Sequence, residues 1–216
     1  MGFDPNDPVY SGTPADIDAI LKRNGRLVGY IGDRYRAGPQ IAAQGKFVQE
    51  STDSNFDSAY KNVYGDSPPK STQGFYDYNK KVIHVRPAAV SGTALHESIH
   101  SLASPAFYRF LQDTAQKVSG RLVGVLSEGV TAFFTDCVLH DEGFGDFVDA
   151  YASRKKSAKN LILDTLKPDG FNIMACFNFK FHITPLILKL GLTLNEYGTL
   201  GNKGPLEIAK RLDAAL

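Results

Sequence analysis

The feature that most constrains this chain is an asymmetry of periodicity. One β-hairpin signal, Phe75–Tyr78, a turn at Asn79-Lys80 and Lys81–Arg86, ends at Pro87, and almost everything beyond the small-residue loop at 88–92 repeats with helical spacing. The spacing predicts helices near 93–103, 105–118, 122–140, 145–166, 171–190 and 204–215. Breaks fall at Pro105, Ser119-Gly120, Gly143, Pro168-Asp169-Gly170 and from Gly201 to Pro205. Ahead of the hairpin, Thr13 and Pro14 read as the start of a helix carrying Ile17, Ile20 and Leu21, which Asn24-Gly25 stops. The Gly-punctuated stretch 26–50 reads as short strands or loops, best at Lys46–Glu50. Phe56, Tyr60 and Val63 share a helical face between Thr52 and Gly65, and Pro68-Pro69 marks a surface loop. The expected fold is α+β in one domain over 1–216, with a small α/β part (1–91) and a helical part (92–216).

Charge and length narrow the function classes. With 24 Lys+Arg against 23 Asp+Glu the chain is nearly neutral, which argues against a polycationic nucleic-acid binder. Arg154-Lys155-Lys156 with Lys159 reads as the solvated face of a helix. No apolar run has the roughly 18 residues that a membrane span needs, and Met1–Pro14 lacks an apolar export core. The expected location is cytoplasmic, or outside the cell by a non-Sec route. Cys137 and Cys176 have apolar neighbours and read as buried thiols, although one bridge is compatible with the sequence.

The chemistry concentrates in His96-Glu97-Ser98-Ile99-His100. Two histidines at i and i+4 project from one face of a helix, so both imidazoles reach one cation. Glu97, about 100° around the helix, is placed to take a proton from a water on that cation. Five His and six Glu in 216 residues would form this pattern by chance about three times in a thousand shuffled chains. A catalytic zinc site also needs a third protein ligand and an open position. His84, His140 and His182 are poor candidates, reading as core or capping residues. Glu128 sits in the apolar stretch 126–136, where an unpartnered carboxylate would be costly. Its distance of 28 residues from His100 leaves room for a helix to cross over and return.

An HExxH followed by Glu128-Gly129-Val130-Thr131-Ala132-Phe133-Phe134 resembles the gluzincin group of zinc metallopeptidases. The resemblance covers about 75–140. It implies a zincin-like fold, a Zn²⁺ ion held by His96, His100 and Glu128, and Glu97 as general base. It also implies an edge strand before the motif helix that holds a peptide substrate by strand addition, a position matched by Lys81–Arg86. The sequence departs from the pattern twice. Ala132 stands where some gluzincins have an Asp that orients a ligating His, which leaves Asp136 as substitute. Ser119-Gly120-Arg121 stands where several have an oxyanion-stabilising Tyr. Tyr151, on the following helix, is the first replacement considered, with Tyr197, His182 and Arg121 as alternatives.

The resulting expectation is a zinc-dependent endopeptidase acting on a protein or peptide, either a housekeeping enzyme or a secreted toxin or effector. Neither nucleic acid nor a membrane span enters that reading. The alternative keeps the fold and drops the reaction, as a zincin-like binding or interaction module. Retention of Glu97 favours the enzyme, because a purely structural metal site has no use for a base.

Overall fold

A computed structural model describes residues 3–7, 14–31, 47–146 and 151–216. The elements are α1 (Pro14–Arg23), α2 (Gly25–Ile31), β1 (Phe47–Gln49), α3 (Asp53–Tyr64), β2 (Gly74–Asp77), β3 (Val82–Val85), α4 (Ser91–Leu102) and α5 (Pro105–Asp113). They continue with α6 (Gly120–Asp141) and then α7, which runs from Ala152–Asn160 directly into a π turn, Leu161–Thr165. Next is α8, in which Gly170–Ala175 runs into a second such turn, Cys176–Lys180. Last come α9 (Thr184–Lys189), α10 (Leu194–Thr199) and α11 (Gly204–Ala214). Helices joined to one small sheet make the described fold mixed helix and sheet, compatible with α+β. The proposed cap Thr13 and the first residue of the expected strand, Lys46, lie outside the described residues.

By contact density the chain forms two compact units: Met1–Leu102 with Phe134–Ala150, and Ala103–Phe133 with Tyr151–Leu216. In the first unit, Asn24 does more than end α1. Its side-chain oxygen accepts the Leu27 N–H at 3.0 Å, opening α2 where strand or loop had been expected, and Leu27 and Ile31 are buried. The helix at α3 matches its sequence signals closely. The Thr52 hydroxyl caps the Asn55 N–H, and Gly65 closes the helix at φ 85°.

The sheet has the order β1-β3-β2, with β1 parallel and β2 antiparallel to β3. Asp77 Oδ1 accepts the N–H groups of Asn79 and Lys80, bending the hairpin, and Lys81 completes the turn at φ 59°. The expectation that Lys81–Arg86 forms a sheet edge is therefore overturned. β3 is central, because Phe47, Val48 and Gln49 pair with Ile83, His84 and Val85. Arg86 is held by Asp53 and Asp57 at 2.8 Å each, and its guanidinium lies over the Phe56 ring. Ile17, Ile20, Leu21, Ile83, Val85 and Leu95 form the dry centre of this unit.

In the second unit, Ser104 caps α5 at Pro105, and Phe107 and Phe110 meet Phe177 edge-to-face at 5.3 and 5.2 Å. Helix α6 begins on the Ser119 hydroxyl, which accepts the Leu122 N–H. Among the described helices it alone has the length and apolarity to cross a membrane, but its most apolar stretch is 72% buried within the protein. That burial is what a core helix shows. The run expected over 171–190 breaks at Phe181, whose backbone turns left-handed at φ 51°.

Candidate metal centre

Helix α4 is enclosed over nearly its whole length, with His96 and His100 only 2% and 7% exposed and Glu97 6%. Its first amide groups, which have no partner inside the helix, are satisfied by chain from the N-terminal segment. Ser91 N–H donates to Asp7 O at 2.8 Å and Gly92 N–H to Pro5 O at 2.9 Å. The two histidines then converge as their spacing requires. His96 Nε2 and His100 Nε2 lie 3.1 Å apart, with the rings at 81° to each other. Two nitrogens each about 2.05 Å from one zinc at the tetrahedral angle would be about 3.3 Å apart. The pair is already spaced for one cation.

Thr135, fully buried, places its hydroxyl 3.4 Å from His96 Nδ1. An oxygen there favours the tautomer that leaves Nε2 unprotonated for a metal. Thr135 rides on α6, and Glu128 precedes it by seven residues, close to two turns, on the same helical face. One donor atom from each of His96, His100 and Glu128 lies within 4.8 Å of the other two. Among the described residues this is the only group of three or more His, Cys, Asp or Glu that converges in this way. Two imidazoles and one carboxylate suit zinc's borderline softness and leave a tetrahedral position open, so the donor set fits the expected ion.

The local backbone around Glu128 is unusual for a reason. Val125–Gly129 is a π turn inside α6, and the extra residue re-phases the helix by about 100° across it. Gly129 is what permits the turn to sit where it does. A Cβ there would meet the Arg154 carbonyl oxygen at 2.4 Å and its carbon at 2.7 Å, so α7 crosses directly over the glycine. The Ser127 hydroxyl donates to Glu128 Oε1 at 3.3 Å.

The remaining candidates take other places. His84 bonds Glu50 at 2.7 Å and stacks on Phe75, His140 bonds Asp146, and His182 is exposed. Tyr151 stands immediately before α7 with its ring 5.4 Å from the Arg154 guanidinium, and the residues before it, 147–150, lie outside the described set. Tyr197 packs against Gly204, where a Cβ would come within 2.9 Å of its ring, and burial pushes its phenol up. Arg121 donates to the Leu216 carbonyl. Asp136 is half-buried one residue beyond Thr135. Cys137 and Cys176 are free thiols, and burial pushes Cys137 up to about 11.

Sequence reasoning missed Thr135, Gly74 and Gly129. Thr135 carries no local signal. Gly129 had one, as a glycine inside an otherwise regular helical run, whereas Gly74 reads in the sequence as the end of the loop that holds Pro68-Pro69. Gly74 opens β2 directly beneath Glu97: a Cβ there would lie 2.9 Å from Glu97 Cγ and 3.3 Å from its Oε1.

No family model, curated protein or solved structure matches this chain.

Proposed function

We propose that this chain is a zinc-dependent metallopeptidase in which His96, His100 and Glu128 hold the ion and Glu97 is the general base. The observation that carries the reading is the convergence of those three donors, two of them on the helix α4 that also presents Glu97, a carboxylate not needed for ligation. Zinc supplies a Lewis acid that polarises a carbonyl and brings water's acidity toward neutral pH. Glu97, almost fully enclosed, accepts the proton of the attacking water at its carboxylate and delivers it to the departing amine. Thr135 holds the His96 ring through Nδ1, and the enclosure of α4 keeps bulk water from competing for the carboxylate.

The strand nearest the base is β2, whose Gly74 lies beneath Glu97. Gly74 is buried and the Tyr76 carbonyl accepts from the Tyr64 hydroxyl, so the peptide reading rests on the donor set and the base, not on an open sheet edge.

The test is metal analysis and hydrolysis of a reduced, alkylated, unfolded protein by wild type, Glu97→Gln and Glu128→Ala. Wild type should bind one zinc and cut. Glu97→Gln should keep its zinc and lose at least about 10³-fold in turnover, and Glu128→Ala should lose zinc. Stoichiometric zinc without cleavage by wild type would leave a metal-holding binding module. Zinc retained unchanged in Glu128→Ala would move the third ligand elsewhere.

A further inference from the structure

We infer that Gly74 is a positioning residue for Glu97: its missing side chain is the slot in which the carboxylate stem lies. Gly74 opens β2 and pairs with Val85, and glycine paired in a strand is a poor choice on propensity alone that often marks a close approach by another chain segment. Here the approaching groups are identified. A Cβ on Gly74 would stand 2.9 Å from Thr93 Cγ2 and 2.9 Å from Glu97 Cγ, both well inside carbon–carbon contact distance. Thr93 and Glu97 are four residues apart on α4, so they descend side by side onto the Gly74 backbone.

Neither contact is with a side-chain tip that can swing aside. Thr93 is β-branched and restricted at χ1, and it is 7% exposed. The Glu97 Cγ is a stem atom, so any displacement of it carries the carboxylate along. Gly74 itself is buried in β2, and its neighbour Phe75 is paired in register with His84, which limits retreat of the strand. A single methyl group at position 74 must therefore move Glu97. Neither histidine is among the three atoms nearest to this methyl, so zinc stoichiometry is a readout distinct from the placement of Glu97.

The inference rests on the hydrolytic reading for its functional consequence, but the packing claim has its own readout. Proton transfer needs heavy atoms within about 2.6–3.2 Å, and a misplacement of about 1 Å costs on the order of 10²-fold in rate. Gly74→Ala should lose about 10²-fold in kcat, with KM within about threefold and zinc stoichiometry intact. Adding Thr93→Ser removes one of the two obstructing atoms and should restore at least about tenfold of that loss.

Independently of any activity, a double-mutant cycle on the melting temperature tests the slot. Gly74→Ala should melt about 5 °C lower, and Gly74→Ala/Glu97→Ala should recover at least half of that, because the stem is gone. Strictly additive melting shifts would overturn the inference. So would unchanged kcat in Gly74→Ala beside an active wild type, which would leave the hydrolase reading standing. If wild type binds zinc and cuts nothing, the hydrolase reading fails alone, and the cycle still decides whether Gly74 holds Glu97. Should Gly74→Ala fail to fold, a folded Gly74→Ala/Glu97→Ala protein supports the slot, and an unfolded one refutes it.

Discussion

Replacing Gly129 by alanine puts the π turn of α6 under direct test. The added Cβ would lie 2.4 Å from the Arg154 carbonyl oxygen, where ordinary carbon–oxygen contact is about 3.2–3.4 Å. The obstruction is backbone on both sides, so either the π turn or the first turns of α7 must retreat by roughly 0.8–1 Å. Overpacking of that size costs about 2–3 kcal/mol, or ~5–10 °C in melting temperature for a chain of this length. The displaced residue adjoins Glu128, so zinc affinity should fall at least about tenfold, as when a group supporting a ligand is lost. Thermal melting of metal-free and zinc-loaded protein, with chelator competition for affinity, measures both effects. A Gly129→Ala protein that melts within 1–2 °C of wild type (roughly the reach of a neutral surface change) and binds zinc as tightly would refute the argument that this glycine places the third ligand.

Two further outcomes follow from the same geometry. Thr135→Val keeps the shape of the side chain and removes the oxygen beside His96 Nδ1; zinc affinity by chelator competition should fall about tenfold with melting of the metal-free protein little changed, and an unchanged affinity would release Thr135 from that role. Burial holds the Cys137 thiol protonated, with its pKa near about 11, so iodoacetamide labelling followed by mass spectrometry should be slow at neutral pH and speed up only as pH approaches that value, whereas rapid labelling of the folded protein near pH 7.5 would contradict the burial.

The parts legible in the sequence were those that local chemistry decides. Thr52 and Gly65 bound α3 because a hydroxyl cap and a left-handed glycine act on their own helix, and His96 and His100 meet because four residues make about one turn. The hairpin was legible for the same reason. Its place in the sheet was not, because the partner that makes β3 central is Phe47–Gln49, which no local pattern of Val82–Val85 can reveal. Helix α2 was misread because Gly25 and Gly29 lower its propensity, whereas its existence depends on burial of Leu27 and Ile31 and on the Asn24 cap. The π turn at Glu128 answers to the crossing of α7 over Gly129, a tertiary demand with only a glycine as its trace. Tyr151 stands immediately before α7, and the helix expected ahead of it crosses 147–150, which lie outside the described residues.

The parallel partnership of β1 with β3 also sets an order of events for a chain leaving the ribosome. Phe47 waits for Ile83, and at about 5–20 residues per second the stretch from Val48 through Ile83 takes roughly 2–7 s to be made. The hairpin β2-β3 closes in microseconds once β3 itself is synthesised and free to pair. Until then Phe47–Gln49 is a strand without a neighbour on its β3 side, open to pairing with another nascent chain. Slowing translation just after β1 should therefore lower the soluble yield of this protein more than slowing it just after β3.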